Sequence, residues 1–96
     1  MKAVIWSNQS ELDYYDNIDY LMGYWGLASA RNFIDKVDAN IAILQKGNIN
    51  FRPTNSKGVF EVVIVKQISL FYRVSDDAVE LVRFWNNYQN PEKNKM

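Results

Sequence analysis

The chain has 96 residues, 11 Lys or Arg, 11 Asp or Glu, and neither Cys nor His, so its net charge is zero. With 48% apolar residues it suits one domain, spanning 1–96, around one core, and the missing residue types exclude thiol nucleophiles, disulfides, zinc fingers and imidazole acid–base catalysis. No apolar run nears the ~20 residues of a membrane span, no signal-peptide core is present, the absence of cysteine fits a cytoplasmic protein, and neutrality argues against free nucleic acid as a partner.

Ala3 to Trp6 is a short β-type run. Ser7 ends it and can cap a helix, because its hydroxyl accepts an orphan amide of the first turn. Glu11, Asp13 and Asp16 then complement the positive helix end. Leu12, Tyr15, Ile18, Met22 and Trp25 recur at helical spacing and predict the apolar face of this first helix. Gly26 is a natural residue to close it. A second helix follows almost at once, with Ala30, Phe33, Ile34, Val37, Ile41 and Leu44 on one face and Arg31, Asp35, Asp38 and Gln45 largely opposite. Gly47 ends it. So short a link predicts an antiparallel helical hairpin.

Asn48 to Gly58 reads as a loop, and the period then changes from 3.6 to 2. Val59 to Val65 predicts a strand buried on both faces, and Lys66-Gln67 a tight turn. Ile68, Leu70, Tyr72 and Val74 alternate with Ser69, Phe71 and Arg73 in the next strand. Ser75 to Asp77 is a turn. In the last strand Val79, Leu81, Arg83 and Trp85 share one face, opposite Ala78, Glu80, Val82 and Phe84. Residues 90–96 read as a polar tail. The fold class is therefore α+β, ordered β-α-α-β-β-β, with the helical hairpin packed on a mainly antiparallel sheet.

Charge is uneven along the chain. Residues 1–50 carry six acids and four bases, and residues 51–96 carry five acids and seven bases. Trp6, Trp25, Phe33, Phe71 and Tyr72 are the expected core aromatics. Tyr14, Tyr20, Tyr24, Phe51, Phe60, Phe84, Trp85 and Tyr88 exceed what so small a core can hide, and Tyr and Trp favour interfaces.

The element order, the stretches Val4-Ile5-Trp6-Ser7, Trp25-Gly26 with Ala30 and Phe33-Ile34, and Ser69 to Val74 resemble the RelE/ParE family of bacterial type II toxins. The strongest carrier is the run from Val79 to Pro91, which is similar to the family's last strand and its Trp-Asp-x-Arg-Gln-Asp-Pro-type ending. The resemblance covers nearly the whole chain. It implies a toxin neutralised by a cognate antitoxin, with roles in growth regulation and plasmid stabilisation, and two activities divide the family. One branch binds DNA gyrase without a nuclease site. The other is a ribosome-dependent, metal-independent messenger endoribonuclease. Fold alone does not choose between them.

The nuclease branch gathers bases around the scissile phosphate. Its basic positions align here with Glu61, Val63, Ser69 and Gln89, so the cationic cluster is thin. Arg73, Arg83 and Tyr88, with Lys66 nearby, are the residues left for such a site. The competing reading pairs Arg73 and Arg83 with Glu61 or Glu80 across strands and uses Tyr88 to pack the tail. The gyrase-type reading is therefore favoured. It places target binding on Arg83, Trp85, Tyr88 and Gln89 and antitoxin binding on Tyr14, Tyr20, Tyr24 and Phe71, with no metal and no cofactor. A non-toxic interaction module of the same fold is the remaining alternative.

Overall fold

The structure is a computed structural model and describes residues 1–90. The polar tail expected over 90–96 lies, apart from Asn90, outside the described residues. The elements are β1 (Ala3–Trp6), α1 (Asn8–Tyr24), α2 (Leu27–Lys46), β2 (Arg52–Pro53), β3 (Val59–Val65), β4 (Ile68–Val74) and β5 (Ala78–Asn86). This is the expected order with one addition. The segment read as a loop contributes β2, whose Arg52 and Pro53 stand opposite Glu61 and Phe60 of β3.

The five strands run β1-β5-β4-β3-β2, with β1 parallel to β5 and every other pair antiparallel. The helical hairpin packs on one face of this sheet. Ser7 caps α1 as expected, its hydroxyl accepting the Ser10 amide at 3.0 Å. Gly26 serves both helices. With φ +96° it donates its amide to the Leu21 carbonyl, closing α1, and then stands as the N-cap of α2. A side chain there would be strained by the backbone.

The helix α2 buries the predicted stripe through Ala30, Phe33, Val37 and Leu44, with Ile34 and Ile41 at its margins. Against it pack Val62, Ile64, Ile68, Leu70, Tyr72, Val79, Leu81 and Phe84 from the sheet. The strand β3 buries Val59, Glu61, Val62 and Ile64, leaves Phe60 and Val65 half-buried, and exposes Val63.

The helix α1 corrects the sequence reading. Leu12 and Tyr15 are 60% exposed, Met22 51% and Trp25 41%, and of the predicted face only Ile18 packs on the core. The residues that α1 buries are Ser10, Asp13, Asn17 and Leu21. They too follow helical spacing, in steps of three, four and four. A second correction concerns β5. Tyr72 faces Leu81 and Phe71 faces Arg83, so Val82 is an extra residue, a β-bulge. One inserted residue reverses every later side chain. Phe84 and Asn86 therefore turn inward after Val79 and Leu81, and Arg83 and Trp85 share rungs with Phe71 and Ser69.

Candidate target-binding site

The buried polar stripe of α1 follows from a mismatch in strand length. β1 pairs with β5 only as far as Trp6 opposite Leu81, while β5 runs on to Asn86. Beyond Leu81 the β1 side of β5 would expose unpaired backbone groups, which burial makes costly. Side chains replace the missing strand. The Ser7 amide donates to the Leu81 carbonyl at 3.1 Å and its hydroxyl to the Val82 carbonyl at 3.0 Å. Asp13 Oδ2 accepts the Phe84 amide at 3.1 Å, and Asn17 Nδ2 donates to the Phe84 carbonyl at 3.1 Å. Asn86 Nδ2 donates to Asn17 Oδ1 at 3.1 Å. An apolar face on α1 would leave these groups without partners.

The same carboxylate takes the guanidinium of Arg83. Nε lies 2.7 Å from Asp13 Oδ2 and the outer nitrogen 3.1 Å from Oδ1. Such two-point pairing is the stronger form of a charge-assisted hydrogen bond. Gln9 adds a fourth N–H donor to Asp13 at 3.0 Å. Arg83 Cζ also sits 5.3 Å from the centre of the Trp85 ring. Trp85 Nε1 donates to the Asn90 carbonyl, and Asn86 Oδ1 accepts the amides of Tyr88 and Gln89 at 2.9 and 2.8 Å. The chain after β5 is thereby turned back against α1.

These contacts enclose a polar cleft of about 230 Å³ at the end of β5, lined among others by Asp16, Arg83, Trp85, Gln89 and Asn90. Three of the four residues expected to bind a target, Arg83, Trp85 and Gln89, meet here. Tyr88 does not. It faces the other way and packs edge-on against Trp25 at 5.9 Å.

The three residues considered for catalysis are each engaged with a different partner. Arg73 pairs with Glu80 at 3.6 Å. Arg83 is two rungs further along and is held by Asp13. Tyr88 follows the strand's end, about 16 Å along the sheet from Arg73 at 3.3 Å per residue. Lys66 lies over the Trp25 ring, 4.7 Å from its centre, on the side of the molecule away from Arg73. Of the expected cross-strand pairs, Arg73 takes Glu80, Glu61 takes Arg52 instead, and Arg83 takes a helix carboxylate.

The four antitoxin positions also divide. Tyr14 wedges between Trp6, Phe33 and Phe84 at 5.2 to 5.7 Å. Burial, then the charge of Asp38 and the neighbouring Tyr15, push its phenol pKa up. Tyr20 and Tyr24 pair at 5.1 Å, and Trp25 Nε1 donates to the Tyr20 hydroxyl at 3.2 Å. Tyr24 is exposed. Phe71 is buried beneath Trp85 and offers no free surface. Trp25, expected in the core, stands exposed beside Tyr24, Met22 and Leu27.

The sequence reading missed Asp13, Asn17 and Asn86 as a unit. Their signal was present: Ser10, Asp13 and Asn17 share a helix face with Leu21. Among the described residues no group of acids could hold a metal ion.

A helical hairpin on one face of a five-stranded, mainly antiparallel sheet is the architecture of the RelE/ParE toxins. Residues 4–91 match the family described as ParE toxin of type II toxin–antitoxin system, parDE, and the chain belongs to that family. It is similar to the chromosomal ParDE system from P. aeruginosa, at 18% identity and a TM-score of 0.74, over 90% of this chain and 96% of that one. A YoeB/ParE toxin from Agrobacterium tumefaciens is 16% identical with a TM-score of 0.61, over 90% and 98%. The E. coli DinJ–YafQ toxin–antitoxin complex gives 11% and 0.62, over 92% and 94%. At these identities the likeness is one of fold. No curated protein matches the chain.

Proposed function

We propose that this chain is the toxin of a type II toxin–antitoxin module and that it acts by binding a protein target such as DNA gyrase, without catalysis of its own. The observation that carries the reading is the commitment of Arg83. Its guanidinium is fixed by Asp13, and Asp13 is in turn fixed by the Phe84 amide, so this cation belongs to the scaffold. The pairing of Arg73 with Glu80 and the packing of Tyr88 on Trp25 support the same conclusion, since general acid–base work on a phosphate needs its groups within hydrogen-bond reach of one centre. The cleft formed by Arg83, Trp85 and Gln89 is suited instead to a polar protein surface.

A cognate antitoxin covers the exposed aromatic end of the hairpin around Tyr20 and Tyr24, and the module works in the cytoplasm. No helix among the described residues is long and apolar enough to cross a membrane. Induced expression tests the reading. It predicts double-strand DNA breaks and filamentation while protein synthesis continues. Immediate arrest of translation with cleaved messages would overturn it in favour of the ribonuclease. Unimpaired growth would favour the interaction module.

A further inference from the structure

At the opposite end of the sheet from Arg73, the β3–β4 turn faces the start of α2 across a notch of about 320 Å³. Two bases, Lys36 and Lys66, line it, and no acid does. Neither lysine forms an ion pair among the described residues, whereas Arg52, Arg73 and Arg83 each do. Ser29, Asn32 and Lys36 reach the notch together because they follow one another by three and four on α2, beside the buried stripe of Ala30, Phe33 and Val37. Gln67 closes the far side, and Trp25 supplies an exposed indole under the Lys66 ammonium. Tyr88 braces that indole edge-on.

This combination has a definite chemistry. Two lysines on one notch, with no acid lining it, suit a dianion. The indole suits the π-face of a base, since base–aromatic stacking needs no particular sequence. Asn32 and Gln67 carry the amide donors and acceptors that read the edge of a base. The volume falls at the small end of the roughly 300–1,000 Å³ range for small-molecule pockets, which favours a mononucleotide over a peptide. We propose that the notch between Trp25, Lys36 and Lys66 binds a nucleoside phosphate, with the base on Trp25 and the phosphate between the two lysines. The site lies outside the cleft of Arg83, Trp85 and Gln89 and stands independently of the toxin reading.

Calorimetric titration of the full chain with AMP, adenosine, inorganic phosphate and a short 5′-phosphorylated single-stranded oligonucleotide tests it. AMP should bind saturably, with adenosine and phosphate each weaker by about tenfold or more, one decade in Kd being about 1.4 kcal/mol. Lys36→Met and Lys66→Met should each weaken AMP by roughly tenfold and leave adenosine unchanged. Both side chains are exposed, so neither change threatens the fold. Trp25→Leu should weaken AMP and adenosine alike. Saturable binding of the oligonucleotide without AMP, lost in the lysine variants, supports the site with its phosphate carried on a nucleic-acid end. No saturable binding of either, AMP binding that survives both lysine substitutions together, or phosphate alone binding as tightly as AMP would each overturn the proposal.

Discussion

The two helices lie side by side on the same sheet and bury opposite chemistries. The helix α2 presents Ala30, Phe33, Val37 and Leu44 to the core. The helix α1 presents Ser10, Asp13 and Asn17, with Leu21 the one fully buried apolar side chain. The difference lies in what each helix covers. The face of a paired sheet offers side chains, and apolar burial is the favourable match. The open margin of β5 offers amides and carbonyls, and a helix laid there is selected for hydrogen-bond partners. The same margin draws Arg83 into a structural ion pair, which links the fold to the functional reading.

Substitutions that remove each helix's anchor give the largest test of this contrast. Phe33→Ala should cost about 3–5 kcal/mol in urea unfolding, since it empties a fully buried aromatic site. Asp13→Ala should cost about 2–3 kcal/mol, leaving the Phe84 amide unsatisfied and Arg83 unpaired. Restoring bulk without polarity, as in Asp13→Leu, should not recover that loss. If it does, the polar account of α1 is wrong.

A smaller effect separates the core side of the sheet from its margins. The Tyr72 hydroxyl accepts the Phe51 amide at 2.8 Å, and burial pushes its pKa above the usual 10.0 while that hydrogen bond pulls the other way. The unfolded chain then loses its phenol proton first as the pH rises. The Tyr72 contribution is complete below pH ~10 and is lost as the pH climbs through the folded value. Tyr72→Phe should cost about 1 kcal/mol at neutral pH through the orphaned amide and flatten the alkaline fall in stability, read by unfolding at pH 8 and pH 11. Smallest of all, Leu12→Ser and Tyr15→Ser should each change stability by less than about 0.5 kcal/mol, although the helical pattern of the sequence marks both as core. A loss of several kcal/mol at either position would reinstate that pattern.

The order of elements was legible because each segment agrees with itself. The stripe of α2, the β-branched density of β3 and the capping Ser7 all point the same way. The inward face of α1 was not legible, because two stripes compete on that helix and the apolar one is the more conspicuous. Which stripe wins depends on β5 outrunning β1, a tertiary fact. The facing of β5 failed for a related reason. Strict alternation puts Arg83 and Trp85 beside Val79 and Leu81, and nothing local in Leu81-Val82-Arg83 announces a bulge. The gathering of Arg83, Trp85 and Gln89 was legible from the resemblance of the C-terminal run. Asp13, their partner 70 positions earlier, was not.

Amide hydrogen exchange at Phe84 tests the central claim most directly. If Asp13 stands in for the missing strand, this amide is protected as strongly as the core amides of β4, and Asp13→Ala strips its protection selectively while Leu70 and Tyr72 stay slow. Fast exchange of Phe84 in the unaltered protein, or protection that survives Asp13→Ala, would contradict the account.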